Sequence, residues 1–306
     1  MGIIDFHCDT MDKLYRDKGS LKKNTYHIDL EKLKASGYFA QWFAVFIDQE
    51  EVEGSLMERA LEMLAYFKKE LQLCKEEISL ATSYKAYEEI RKQNKIAAFL
   101  SLEEGQILEG SLEHLERLVE EGVRLMTLTW NYENTLAAPH WSTKGLTALG
   151  KEVAERANTL PLLLDLSHAS EGVLKDLKDI YHKPIVASHC NAYHVYPHTR
   201  NLSDSAIRQI AESGGIIGVN FYSVFLDGSK RSTMAAIERH LTHLIQVGGE
   251  EVVALGSDFD GIVCENEVCD ASEVGKLTES LSKKYGPRLI EKWSYQNAER
   301  LLRENF

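Results

Sequence analysis

Short apolar runs rich in branched and aromatic residues recur along the chain, separated by longer stretches in which apolar side chains return every three or four positions. Runs at 3–6, 38–47, 96–102, 123–129, 161–166, 184–188, 215–221 and 252–256 predict eight strands. Segments 55–76, 111–121, 171–180, 203–213 and 234–247 predict helices, each with one core-facing stripe. Ser203 and Asp204 supply cap chemistry ahead of Ile207 and Ile210, while Gly122 and Gly214 stand where a helix must stop before the next strand.

Alternation of strand and helix implies a parallel sheet, either closed as an eight-stranded barrel or open and doubly wound. The turn after the first strand carries no glycine-rich phosphate fingerprint. With five prolines and no Ser/Gly-rich linker, no second domain is visible. The chain therefore reads as α/β, a (β/α)8 TIM barrel forming a single domain over residues 1–306, decorated between strands one and two and over 48–94.

The carboxyl ends of the strands carry the polar residues, and barrel enzymes place their chemistry on that face. Strand one runs into Asp5-Phe6-His7-Cys8-Asp9, strand three into Glu103-Glu104-Gly105 and strand four into Trp130-Asn131. Strand five runs into Asp165-Leu166-Ser167-His168, strand six into Ser188-His189, strand seven into Asn220-Phe221-Tyr222 and strand eight into Asp258-Phe259-Asp260-Gly261. His7 and Asp9 lie two residues apart, so on extended chain both side chains face the same way and can grip one cation. Alone, such a pair reads as a solvated strand end. Joined by Glu103, His168 and His189, it becomes ligand supply for two metals. Zinc suits imidazole and carboxylate donors, and a pair of ions about 3.5 Å apart would bring the pKa of a shared water toward about 7. Asp258 is placed to accept that water's proton, with Gly256 and Gly261 leaving its surroundings uncrowded. Asp5 stands behind the ligands as an orienting group. Arg200, on the loop after strand six, can clamp a carboxylate, and Trp130, Asn131 and Tyr222 complete the expected substrate-binding set. His114, His182, His240 and His243 fall in or beside helices and read as structural or solvated, and Trp141 and Trp293 read as packing residues.

Charge narrows the partners. The 35 Lys+Arg stand against 47 Asp+Glu, a formal charge of −12, which disfavours nucleic acid and favours a small or cationic partner. The five cysteines (Cys8, Cys74, Cys190, Cys264, Cys269) show no redox or zinc-ribbon spacing, which fits a reduced, cytoplasmic compartment. No apolar run is long enough to cross a membrane, and no leader or lipid-anchor pattern is read. Residues 300–306 look like the frayed end of an amphipathic helix.

These motifs resemble the renal (membrane) dipeptidase family of zinc dipeptidases, and the likeness runs from Asp5-Phe6-His7-Cys8-Asp9 to Asn297-Ala298-Glu299-Arg300-Leu301-Leu302. Between them fall Leu102-Glu103-Glu104-Gly105, the 122–129 segment, Asp165-Leu166-Ser167-His168, Ser188-His189, Arg200-Asn201, Val219-Asn220-Phe221-Tyr222 and Gly256-Ser257-Asp258-Phe259-Asp260-Gly261. The resemblance implies a (β/α)8 barrel over two zinc ions, one held by His7, Asp9 and Glu103 and the other by Glu103, His168 and His189. Glu103 would bridge, Asp258 would hold the bridging water or the substrate's free amine, and Arg200 would bind its terminal carboxylate. The implied reaction is hydrolysis of the peptide bond of a dipeptide, with the stereochemistry of the second residue left open, and the implied assembly is a homodimer. Two positions depart from the family: Trp130 replaces a histidine of animal members that helps stabilise the oxyanion, leaving that role to zinc or Asn131, and Glu104 replaces a residue that is often glycine. Two alternatives stand beside this reading: a binuclear hydrolase of another amide, lactone or phosphoester, and a non-catalytic barrel that binds a small molecule.

Overall fold

Residues that are apolar on both faces of a strand have to be covered on both faces, and a barrel wrapped in helices does this. A computed structural model of the chain describes residues 2–263 and 265–306; Cys264 lies outside the described residues, and Cys8, Cys74, Cys190 and Cys269 are free thiols. All eight apolar runs form strands: β1 (Ile3–Asp5), β2 (Tyr38–Phe46), β3 (Ile96–Glu103), β4 (Val123–Thr127), β5 (Leu163–Asp165), β6 (Val186–Ala187), β7 (Ile216–Val219) and β8 (Val253–Leu255). They pair in parallel in the order β2-β1-β8-β7-β6-β5-β4-β3, and β2 pairs again with β3 to close the ring. The closing register sets Trp42 against Phe99 and Phe46 against Glu103. A further short strand, Ile78–Leu80, adds to the start of β3 outside the ring, within the stretch read only as decoration.

Two buried clusters result. One lies inside the ring, where Ile4, Phe6, Trp42, Phe99, Leu125, Leu163, Val186, Ile216 and Ala254 meet. Its centre is a stack of aromatic rings: Phe6 on Trp42 at 5.4 Å and Trp42 on Phe99 at 4.8 Å, both 18° from parallel. The other packs the outer strand faces against the helices, among them Leu56–Leu73, Leu112–Glu120, Glu171–Ile180, Asp204–Glu212 and Met234–Gly248, all close to the predicted spans. Ser203 caps the Asp204–Glu212 helix by accepting from the Ala206 amide at 3.2 Å, and Gly122 and Gly214 take positive φ, as the stop positions require. No helix among the described residues is long and apolar enough to cross a membrane.

The C-terminal segment differs from the sequence expectation. Instead of fraying, Asn297–Asn305 is a helix whose Ala298, Leu301 and Leu302 are buried against the inner cluster, closing the amino-terminal end of the barrel. Trp293 packs just before it and donates from Nε1 to the Ala254 carbonyl at 2.8 Å. Because Leu301 is fully buried there, Leu301→Ala is expected to cost about 2–5 kcal/mol, read as a lower urea midpoint at unchanged slope.

Candidate active site

At the carboxyl end the backbone ladder runs on through the amides of Phe6, Leu166 and Gly256, and just beyond it buried carboxylates capture the next amides. Asp165 Oδ1 accepts from the amides of Ser167 and Ser188, each at 2.9 Å, and Asp5 Oδ1 accepts from Ser257 N at 2.9 Å. The chain then turns sharply, with His168 at φ 67° and Asp258 at φ 63°, a left-handed conformation uncommon for residues with a Cβ. These turns aim side chains into the barrel mouth.

There His7, Asp9, Glu103, His168, His189 and Asp258 converge, all buried. Glu103 sits at the end of β3 with its two oxygens on different neighbours. Oε2 lies 3.1 Å from His7 Nε2; Oε1 lies 3.1 Å from His168 Nε2 and 3.6 Å from His189 Nε2. His7 Nε2 is also 3.3 Å from Asp9 Oδ2 and 3.8 Å from Asp258 Oδ1. The imidazoles of His7 and His189 stack at 3.9 Å, and the Nε2 atoms of His168 and His189 face each other at 2.9 Å.

A surrounding layer holds these groups in place. Asp5 Oδ2 accepts from Ser257 Oγ at 2.5 Å, which fixes the chain leading into Asp258. Asp165 Oδ2 accepts from Thr127 Oγ1 at 2.9 Å and from Ser188 Oγ, and that hydroxyl lies 2.8 Å from His189 Nδ1. Asn220 donates from Nδ2 to Asp258 Oδ2 at 2.8 Å. Asn131 Oδ1 lies 3.0 Å from His168 Nδ1. An amide oxygen there accepts, so the His168 proton sits on Nδ1 and the Nε2 lone pair points at Glu103. Asn131, expected in the substrate-binding set, thus engages a candidate ligand histidine through Oδ1. Gly261 leaves the space beside Asp9 and Asp258 that a Cβ would fill, as expected, whereas Gly256 is instead packed against the Ser188 carbonyl and Gly218.

Electrostatics sharpen the picture. Burial, with the nearby Arg200 charge, pushes His168 down to about 3, and burial also holds His189 well below its usual range. Burial opposes a charge on His7 too, but Glu103 and Asp9 outweigh it and hold that imidazole well above the usual range. Burial would raise Glu103, yet the His7 charge holds it well below. Burial pushes Asp9 well up and Asp258 up to about 6, with the Glu103 charge adding to both. Two lone pairs thus face one carboxylate oxygen, while His7 Nε2 and Asp9 Oδ1 are buried without a hydrogen bond. Lone pairs aimed at an anion repel unless a cation lies between them. The donor set fits divalent metal on either side of Glu103, in the groups His7–Asp9–Glu103 and Glu103–His168–His189.

A cavity of about 1020 Å³ opens beside this cluster and is lined by His168, Arg200, His140, Trp141, Cys190 and Tyr193, among others. Arg200 is buried, yet no carboxylate among the described residues pairs with it. Its Nη1 reaches Cys190 Sγ at 3.6 Å and its Nη2 the His189 carbonyl at 3.4 Å, while its Nε has no partner. Tyr222 packs edge-on against Phe225, the ring below the Arg200 guanidinium, and does not line the cavity. Trp130 packs between Phe46, Tyr132 and the His168 ring. Trp141, expected to pack, is instead 57% exposed on the cavity rim. Ser188, Ser257 and Asn220 stand in the strand-end motifs read from sequence, one or two residues beyond a strand, but their orienting role was not read there, and nothing in the sequence pointed to His140.

A closed parallel barrel with imidazoles and carboxylates gathered at the carboxyl ends of its strands is the form of a metal-dependent barrel hydrolase. Within that class, the chain belongs to the membrane dipeptidase family, peptidase family M19, which it matches over residues 1–305. An uncharacterized dipeptidase of Schizosaccharomyces pombe is 32% identical over 258 residues, 78% of this chain and 62% of that protein, so the chain spans less than two thirds of that relative. A Klebsiella pneumoniae protein, described only by its position in the pqqA 5' region, is 31% identical over 82% of this chain and 98% of its own length. The structure of dipeptidase AC, a family M19 metallopeptidase, superposes with a TM-score of 0.92 at 25% identity, covering 100% of this chain and 98% of that one. A Rhodobacter sphaeroides metallopeptidase bound to a phosphinate mimic of L-Ala-D-Ala shares the fold, with a TM-score of 0.92 at 24% identity, covering 100% of this chain and 99% of that one.

Glu104 is the unusual member of the neighbourhood. At φ 91° it occupies a conformation suited to glycine, and it is fully buried. Its carboxylate accepts from Gln106 N at 2.8 Å, Trp130 N at 3.1 Å and Asn134 Nδ2 at 2.5 Å. Glu104→Ala keeps the strain and strands three donors, so it is expected to cost about 1–3 kcal/mol in urea unfolding. Glu104→Gly relieves the strain and should cost measurably less.

Proposed function

We propose that the protein is a zinc-dependent dipeptidase working as one barrel domain over residues 1–306. One observation carries this reading: a buried guanidinium without a carboxylate partner, Arg200, lines the cavity that is also lined by His168, the member of the carboxylate–imidazole cluster nearest to it. A cavity that offers a buried cation on one wall and metal-type donors beside it suits a small substrate ending in a carboxylate, with its scissile bond close to that end. Two zinc ions would be held by His7, Asp9 and Glu103 and by Glu103, His168 and His189. When bound, they would polarise the carbonyl and acidify water.

The chain's own residues do the rest. Arg200 grips the terminal carboxylate and fixes the peptide in the cavity. Asp258, steadied by Asn220, accepts a proton at Oδ1 or holds the free amine. Asp5, Asp165, Ser188 and Asn131 keep the ligands in one orientation, so little reorganisation accompanies reaction. Trp130 supplies no side-chain acid or base and acts as an apolar wall against His168.

The direct test is a panel of L,L- and L,D-dipeptides, L-Ala-D-Ala included, with N-acetylated counterparts and zinc-loaded protein. Free dipeptides should be cleaved and blocked ones much more slowly; absence of cleavage across the panel overturns the assignment. Asp258→Asn is expected to lower kcat about 10²–10⁴-fold with metal content retained. Asp258 must be ionised to accept a proton, and bound cations draw its pKa below the value of about 6 found without them. The acid limb of kcat/KM should therefore fall at or below pH 6. Arg200→Ala should raise KM about tenfold or more with kcat little changed, because a carboxylate clamp binds ground and transition states alike.

A further inference from the structure

After β6 the chain makes a loop, residues 191–202, closed by a bridge between Ala192 and Leu202 and carrying Arg200. Its buried side is tied down without metal. His240 Nδ1 accepts from Ala192 N at 3.0 Å, and Asn201 Nδ2 donates to the carbonyls of Tyr196 and Phe225 at 2.9 and 2.7 Å. Its outer side holds a second group of ligand-type side chains, separate from the barrel mouth. His194 comes from the loop, Asp204 from the first turn of the Asp204–Glu212 helix and His243 from the Met234–Gly248 helix.

Their donor atoms all lie within 4.8 Å of one another. His243 Nε2 is 2.8 Å from Asp204 Oδ1. The His194 and His243 rings stack with centroids 4.7 Å apart and planes within 3°. An ion pair would account for one imidazole beside one carboxylate. A second imidazole, from a different element, stacks on the first and brings a further nitrogen within 4.8 Å of these donors, so that tilting one ring out of the stack turns both lone pairs onto one ion. Four ligands at bond lengths of about 2.0–2.1 Å stand roughly 3.3 Å from each other around a tetrahedral ion. The closest pair here is already near that spacing, and the mouth cluster, built from the same donor types, has neighbouring donors at 2.9–3.6 Å. His194 is exposed while Asp204 and His243 are half-buried, so an ion has access from solvent and water can fill the fourth position.

We propose that His194, Asp204 and His243 form a surface metal site, distinct from the mouth, that takes a divalent transition ion of the zinc or copper type. Two imidazoles select such ions over magnesium and calcium, which prefer all-oxygen shells. Because the three ligands come from the loop and two separate helices, an ion bound there clasps the outside of the loop to the barrel wall.

Equilibrium dialysis against Zn²⁺ followed by metal analysis tests this, as a difference that is independent of how many ions the mouth holds and of the proposed reaction. Wild-type protein should bind one equivalent more than His194→Ala, whose exposed position keeps the fold intact, and one more than His243→Ala. His168→Ala should lose metal at the mouth and keep the surface equivalent. Cu²⁺ added to protein with a filled mouth should give an electron paramagnetic resonance spectrum with nitrogen coupling that disappears in His194→Ala. Equal zinc content in wild type and His194→Ala overturns the site, and so does a copper spectrum unchanged by that substitution. Displacement of the surface equivalent by millimolar Mg²⁺ overturns the assigned ion class.

Discussion

A carboxylate buried at the end of a central strand needs partners around both of its oxygens, and Glu103 is flanked by imidazoles on both sides. His7 approaches Oε2 while His168 and His189 approach Oε1, and these three residues follow β1, β5 and β6. Only a closed ring brings those strand ends around β3. Ring closure is in turn possible because small inner residues such as Ala40, Ala97 and Ala254 leave room for the Phe6–Trp42–Phe99 stack. The barrel and the charge cluster are therefore one requirement met at two levels, the apolar interior below and the paired polar groups above.

Much of the fold was legible because the strands are covered on both faces and so appear as continuous apolar runs. The run 184–188 overshoots its strand at Ser188, where the Asp165 carboxylate replaces the ladder as amide partner, and no local pattern reveals that exchange. The strand Ile78–Leu80 is too short to stand out, and the C-terminal helix looked marginal because Leu301 and Leu302 lie among charges; only the open end of the barrel explains them. The candidate ligands were legible as acids and histidines one to three residues past an apolar run. Their orienting partners were not, since serine and asparagine are ordinary loop residues and the pairing Ser257–Asp5 joins positions 252 apart in sequence.

The two departures from the family pattern are in contact. The Glu104 carboxylate accepts from the backbone of Trp130, so one of the two residues that the family resemblance sets apart holds the segment carrying the other. A charged side chain at a strained backbone position gives that loop an anchor that glycine cannot supply, and the indole then packs against His168. Local strain and local hydrogen bonding are thus exchanged within one neighbourhood, and the polarity of that wall changes with them.

The chain of hydrogen bonds from Thr127 through Asp165 and Ser188 to His189 spans β4, β5 and β6 before it reaches a candidate ligand. β6 contributes only Val186 and Ala187 to the sheet, so this relay is a large part of what holds it in line. Thermodynamic linkage then runs in both directions: whatever tightens the grip on His189 also fastens this two-residue strand in the barrel, by the same free energy. Ion occupancy and the mechanical integrity of the wall become one variable, and removing ions from the mouth should let the sheet breathe first at β6.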